Sequence, residues 1–184
     1  MKRFIFVVRV AGTILLSLAT FSVAGGTGRK ETELFHAVSS GNFEKVRQLI
    51  VEDKVSVDST NEFGESSLHL SAISNKKSNG KILELLIQHG ADVNKRTDYQ
   101  YDGHATKVTR TPLHWYIYSC DFEAAKTLVA HGADPMIKTE EGETSLEIVR
   151  KLVEKQPSEA RECVKILDMF EKVIMEGQTR SDAL

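Results

Sequence analysis

Residues 110–117 read Arg110-Thr111-Pro112-Leu113-His114-Trp115-Tyr116-Ile117, and the segment they open closes on His131-Gly132-Ala133-Asp134-Pro135. The same frame occurs upstream, where Gly64-Glu65-Ser66-Ser67-Leu68-His69-Leu70-Ser71-Ala72 leads to His89-Gly90-Ala91-Asp92-Val93-Asn94. Leu68 to Gly90 spans 22 residues and Leu113 to Gly132 spans 19, the excess falling around Asn75–Gly80. Self-similarity at a fixed period marks a repeat architecture and takes precedence over any single motif. A further copy opens at Glu143-Thr144-Ser145-Leu146-Glu147-Ile148. A degenerate first copy runs Leu34-Phe35-His36-Ala37, then Gly41-Asn42-Phe43-Glu44, to Val55-Ser56-Val57-Asp58.

Each slot has a physical use. Thr111 suits a helix N-cap, and Pro112 suits the first helical position, where no amide hydrogen is needed. Gly90 and Gly132 suit the left-handed residue that ends a helix. Apolar residues recur at helical spacing in Val46/Leu49/Ile50, Ile82/Leu85/Leu86 and Ala125/Leu128/Val129. A last helix reads Cys163, Leu167, Phe170, Ile174, with Pro157-Ser158 before it and Gly177 after it. Its length and the insertion before it fit a terminal cap.

These motifs resemble the ankyrin repeat, with its T-P-L-H-x-A helix start and G-A-D-V-N ending, over about residues 31–176. The resemblance implies an all-α solenoid of about four helix-turn-helix repeats with hairpin loops and a long C-terminal capping helix. The expected organisation is a signal peptide (1–24), a flexible lead-in (25–31), a repeat domain (32–176) and a disordered tail (177–184). Approximate repeats are 32–60, 61–97, 98–138 and 139–176. In such repeats the histidines, here His69 and His114, bridge the backbone of neighbouring turns.

The N-terminus differs from the rest. Lys2, Arg3 and Arg9 precede an uncharged, largely apolar run from Val10 to Val23, and Ser22-Val23-Ala24 places small residues at a cleavage site. That is the layout of a secretory signal peptide. A membrane anchor needs about 20 apolar residues, and Arg9 interrupts the run before that. Cleavage is expected after Ala24, and with no cysteine next to the site a lipid anchor is not expected. Cleavage would remove three positive charges and take the net charge from −2 to −5. No Asn-x-Ser/Thr sequon follows, which leans towards a bacterial periplasm over a eukaryotic secretory route.

The chain is 41% hydrophobic and 27% charged, with Lys/Arg interspersed among Asp/Glu, so nothing marks it for nucleic acid. Phosphate-binding, zinc-protease, serine-nucleophile and calcium-loop signatures are missing. His69, His114, His89 and His131 occupy repeat positions, while His36 and His104 are isolated. No catalytic residue, metal site or cofactor is therefore expected. Cys120 falls in a tight turn and Cys163 on the last helix of the next repeat. Two readings stay open, a disulfide in an oxidising compartment or, for Cys163, a small buried apolar residue.

The partner is expected to be a protein, with the chain alone monomeric. The resemblance places binding on hairpin tips and on the exposed side of first helices. The tips would be Glu62-Phe63-Gly64-Glu65, the residues before Thr111, and Glu140-Glu141-Gly142-Glu143; the helix-side positions would be Ser39-Ser40, Ile73-Ser74 and Tyr118-Ser119. The connection Lys95–Arg110 is long and carries Tyr99 and Tyr101. Long loops in compact domains are often functional, although a solvated mobile insertion reads equally from composition. Candidate partner-binding residues are Phe63, Tyr99, Tyr101, Arg110, Tyr118 and Glu141. Tyr99, Tyr101, Arg110 and Tyr118 would form an aromatic-basic patch, with Glu140, Glu141 and Glu143 as an acidic patch beside it. Trp115 and Tyr116 are expected to pack beneath the insertion.

Short exported ankyrin proteins are similar to immunity or inhibitor proteins that occupy a toxin's surface, and to periplasmic proteins associated with oxidative-stress resistance. The alternative is a host-directed effector that binds a eukaryotic protein.

Overall fold

The computed structural model describes residues 28–74, 76–100, 107–155 and 161–181. The expected signal peptide, Tyr101, His104 and Pro157-Ser158 lie outside the described residues. The helices are α1 (Arg29–Ser39), α2 (Phe43–Arg47, closing on a π turn over Gln48–Glu52), α3 (Ser67–Ser71) and α4 (Lys76–Gln88). They continue with α5 (Pro112–Tyr118), α6 (Phe122–Ala130), α7 (Ser145–Lys155) and α8 (Arg161–Ser181). A two-residue antiparallel ladder, β1 (Tyr99–Gln100) with β2 (Lys107–Val108), stands between α4 and α5. The helices stack in two rows, α1–α3–α5–α7 on one side and α2–α4–α6–α8 on the other. This is the expected solenoid.

Burial explains the stack. Val46, Leu49, Leu68, Ile82, Leu86, Leu113, Ile117, Ala125 and Leu128 are fully buried, one set from each of the first three helix pairs. Each such Leu or Ile contributes about 1.5–3 kcal/mol by leaving water, but only when the neighbouring pair covers it. The extra residues of the second copy fall at the start of α4, which runs 13 residues against 9 for α6.

The repeat slots hold the connections expected of them. Ser66 caps α3 and Thr111 caps α5, in each case reciprocally with the histidine three residues on. Thr144 and Glu147 do the same for α7. The G-A-D endings are knit by one bond repeated along the stack. Asp58 accepts from the amide of Asp92, and Asn94, in the same slot one repeat later, accepts from the amide of Asp134. His89 and His131 turn their Nδ1 atoms onto their own helices, at the carbonyls of Leu85 and Thr127.

Three expectations need correction. Helix α1 starts at Arg29, inside the expected lead-in. Helix α8 passes through Gly177 to Ser181, inside the expected tail, because one helical glycine costs only about 1 kcal/mol. On α8 the fully buried positions are Cys163, Ile166 and Phe170; Leu167 and Ile174 are half-buried. Of the two readings open for the cysteines, the disulfide Cys120–Cys163 is present, and Cys163 is buried as well.

Candidate protein-binding face

Three turns line one edge of the stack. The first spans Asn61–Glu65 and is flanked by a bridge between Thr60 and Ser66; the third spans Thr139–Glu143, between Lys138 and Thr144. Gly64 and Gly142 hold positive φ angles of 68° and 78° at their tips. The middle member is the insertion, whose base is closed by Thr97. The Thr97 amide donates to the Arg110 carbonyl, and its hydroxyl donates to Val108 and accepts from the Arg110 amide. Thr97 is buried, and nothing in the repeat pattern singled it out.

The insertion is tied to both neighbours. Tyr99 meets Phe63 edge-on, ring centroids 4.8 Å apart, and Gly64 lies against the backbone of Asp98. On the other side Arg110 donates from Nε (3.1 Å) and Nη2 (2.8 Å) to Oε1 of Glu140, whose Oε2 accepts from the Thr109 amide. Arg96 reaches the Lys138 carbonyl at 3.1 Å. The guanidinium of Arg110 also sits 5.5 Å from the ring centre of Tyr118.

Of the expected aromatic-basic patch, Arg110 and Tyr118 come together, Tyr99 is set against Phe63, and Tyr101 lies outside the described residues. Arg110 is neutralised internally by Glu140. Their side chains are only 20% and 12% exposed. Burial alone would raise the Glu140 carboxyl, yet the amides and Arg110 hold it below the ordinary carboxylate range. Glu140 therefore leaves the expected acidic patch. Glu141 stays exposed, and Glu143 pairs with Lys151. Tyr118 is half-buried, and burial raises its hydroxyl.

Tyr116 departs from expectation. Tyr116 is fully buried and its hydroxyl is 2.8 Å from Ser71 Oγ, so it packs on the preceding repeat. Trp115 sets its ring edge-on to His69, centroids 5.9 Å apart.

The first turn contains a network that the sequence did not announce. Asn61 Oδ1 accepts from the amides of Phe63 and Glu65, while Nδ2 donates to Glu65 Oε2 at 2.8 Å. Glu65 is buried, and desolvation, opposed by the Asn61 bond, pushes its carboxyl up to about 7. Among the described residues no group of three or more His, Cys, Asp or Glu side chains is placed to hold a metal, and no helix is long and apolar enough to cross a membrane.

The comparisons agree with this architecture. The family described as ankyrin repeats (3 copies) matches residues 14–97 and 34–139. The chain belongs to the ankyrin-repeat family. The first match begins inside the apolar run assigned above to a signal peptide. The chain is 28% identical over 124 residues, 67% of its length, to ankyrin repeat and SAM domain-containing protein 6 of Rattus norvegicus. It is 39% identical over 61 residues, 33% of its length, to palmitoyltransferase akr1 of Schizosaccharomyces pombe. The matched regions span 13% and 9% of those proteins. Ankyrin repeats mark a protein–protein interaction module, in a family that is generally non-catalytic.

Proposed function

We propose that this ankyrin-repeat chain is an exported, non-catalytic binding protein whose target is another protein in a bacterial periplasm, held in an inhibitory or protective complex. The observation that carries the binding role is the row formed by the turns at 61–65 and 139–143 and, between them, the base of the insertion at 97–100 and 107–110. Phe63–Tyr99 and Arg110–Glu140 tie these turns side by side. A pre-ordered row loses little conformational freedom on binding, which favours recognition by a folded partner. Exposed Glu62 and Glu141 flank the half-buried rings of Phe63, Tyr99 and Tyr118, a polar rim around aromatic contact area. Export is supported by the three-part N-terminal layout and by the Cys120–Cys163 disulfide, a bond that persists in oxidising compartments.

The test begins with the native envelope. The mature N-terminus is sequenced, a partner is captured on the immobilised chain, and its dissociation constant is measured with purified components. Export predicts a chain beginning at Gly25, and an intact Met1 in the membrane fraction would overturn it. The Glu62→Lys/Glu141→Lys variant should keep its melting temperature and weaken the complex at least about tenfold if this edge is used. Undiminished affinity would remove the site from this edge. A partner found only in a host extract would replace the periplasmic reading with the effector reading.

A further inference from the structure

We propose that the Cys120–Cys163 disulfide is a redox latch that fastens the terminal helix α8 to the end of the solenoid and releases it when a dithiol reduces the bond. The inference concerns the order of the C-terminal cap and stands whether or not the export reading holds.

Helix α8 is the last described helix of the stack. It packs on α6 and α7, burying Cys163, Ile166 and Phe170. Among the described residues α7 and α8 pack chiefly on each other and on α5 and α6, and a helix pair covered on one side opens more readily than one covered on both. The ion pair joining α7 to α8, Arg150–Glu171, is half-exposed on both sides and holds little. The disulfide joins residues 43 apart, bringing the α5–α6 turn onto the first turn of α8.

The turn itself shows what the cysteine is for. The first repeat has Ser40-Gly41-Asn42-Phe43-Glu44 where the third has Ser119-Cys120-Asp121-Phe122-Glu123. Gly41 takes a left-handed φ of 71°, and Cys120 takes one of 49° in the same slot. Glycine adopts that conformation without penalty, whereas a residue with a Cβ does not. A strained cysteine therefore stands where an unstrained glycine serves the same turn, and what it adds is the bond to α8.

The bond is also asymmetrically exposed. Cys163 Sγ belongs to a fully buried residue, and Cys120 to a half-buried one. A dithiol reductant attacks as its thiolate at Cys120 Sγ, breaking the S–S bond and expelling Cys163 as a thiolate that takes up a proton. The reductant's second thiol, deprotonated, then attacks its own sulfur in the mixed disulfide and releases Cys120, which is protonated in turn. Two electrons and two protons pass to this chain, and the reductant leaves as its disulfide. Because Cys163 must leave into apolar surroundings, the first step is fastest when α8 has begun to open.

Hydrogen exchange read by mass spectrometry on the full chain tests the latch, comparing oxidised protein, dithiothreitol-reduced protein and reduced protein reoxidised with oxidised glutathione. Reduction should accelerate exchange in α8 on the order of tenfold or more, and reoxidation should restore it. Exchange in α1–α4 should stay within about twofold. Cys120→Gly/Cys163→Ala supplies the glycine and removes the bond, and its α8 should exchange as fast as in the reduced protein or nearly so. Two free thiols in protein prepared under oxidising conditions would overturn the proposal. So would α8 protection unchanged by reduction, an acceleration spread evenly over all helices, or a Cys120→Gly/Cys163→Ala α8 as protected as the oxidised one.

Discussion

The Nε2 atom of His69 reaches the backbone carbonyl of Arg110 at 3.0 Å, across a repeat boundary and 41 residues along the chain. Its Nδ1 accepts from the Ser66 amide, so the hydrogen-bond network assigns the ring one state, neutral with the proton on Nε2. His114 repeats the Nδ1 contact with the Thr111 amide, while its Nε2 is buried without a hydrogen-bond partner of good geometry. Burial pushes both imidazoles from 6.5 down to about 4, against the pull of the Arg110 and Ile137 backbone carbonyls respectively.

A pH dependence follows. Between about 4 and 6.5 the unfolded chain binds protons that the folded chain refuses, so stability falls as pH drops through that window. The two rings together account for a loss on the order of a few kcal/mol between pH 7 and pH 4. Melting temperature followed over that range should decline, and His69→Gln should flatten the curve while lowering its plateau. In a Glu65→Gln background, which removes the opposing carboxyl, a profile flat to pH 4.5 would show that the rings are not held neutral by the fold.

Glu65 acts with the opposite sign. Its carboxyl titrates near 4.5 when unfolded and about 7 when folded, so the folded chain holds the extra proton between those values. Its contribution is present at pH 4.5 and lost as pH rises through 7. Glu65→Gln keeps an oxygen for Asn61 Nδ2 and removes the buried charge. It should leave stability near pH 5 almost unchanged and raise it by about 2 kcal/mol at pH 8. Equal shifts at both pH values would sink this account.

The two tip glycines form a matched pair. A Cβ at Gly64 would stand 2.4 Å from the Asp98 amide nitrogen, whereas one at Gly142 would meet nothing within 4 Å. Both have left-handed φ, so Gly142→Ala reports the backbone cost alone, about 1 kcal/mol. Gly64→Ala adds a clash with backbone that cannot swing away, and should cost about 2–3 kcal/mol and shift the fluorescence of Tyr99. Denaturant titration of the two variants measures the difference directly, and equal losses would mean that the insertion does not rest on this turn.

What was legible in the sequence follows the repeat. Cap, proline, histidine and helix-ending glycine are local requirements, and their spacing placed every helix pair. The edge of the stack was less legible because its contacts join residues far apart through the insertion. Arg110 and Glu140 are 30 residues apart, and no periodicity says that the guanidinium is neutralised instead of offered to a partner. Tyr116 was misplaced for a related reason. A bulky ring in a slot for small residues signals unusual packing, but not which neighbour receives it. Here Ser71, small and polar, was the available clue. Ser71 Oγ donates to Leu68 at 2.7 Å, so the Tyr116 hydroxyl is the donor between them.

Glu140 and Glu141 are adjacent in sequence and should behave as different kinds of residue. Glu140 accepts from Arg110 and from the Thr109 amide, and its side chain is 12% exposed. Removing its charge leaves Arg110 half-buried without its counter-ion, so Glu140→Gln should lower stability by about 1–3 kcal/mol. Glu141 is exposed at the same turn, and Glu141→Lys should change the melting temperature by no more than about 0.5 kcal/mol in equivalent stability. Its effect belongs in binding, where reversing a rim charge changes the association rate and its salt dependence. Thermal unfolding and stopped-flow association on the same pair of variants separate the two roles. Should Glu140→Gln leave the fold untouched, Arg110 would be free for a partner after all, and the aromatic-basic patch read from the sequence would be the better description of this edge.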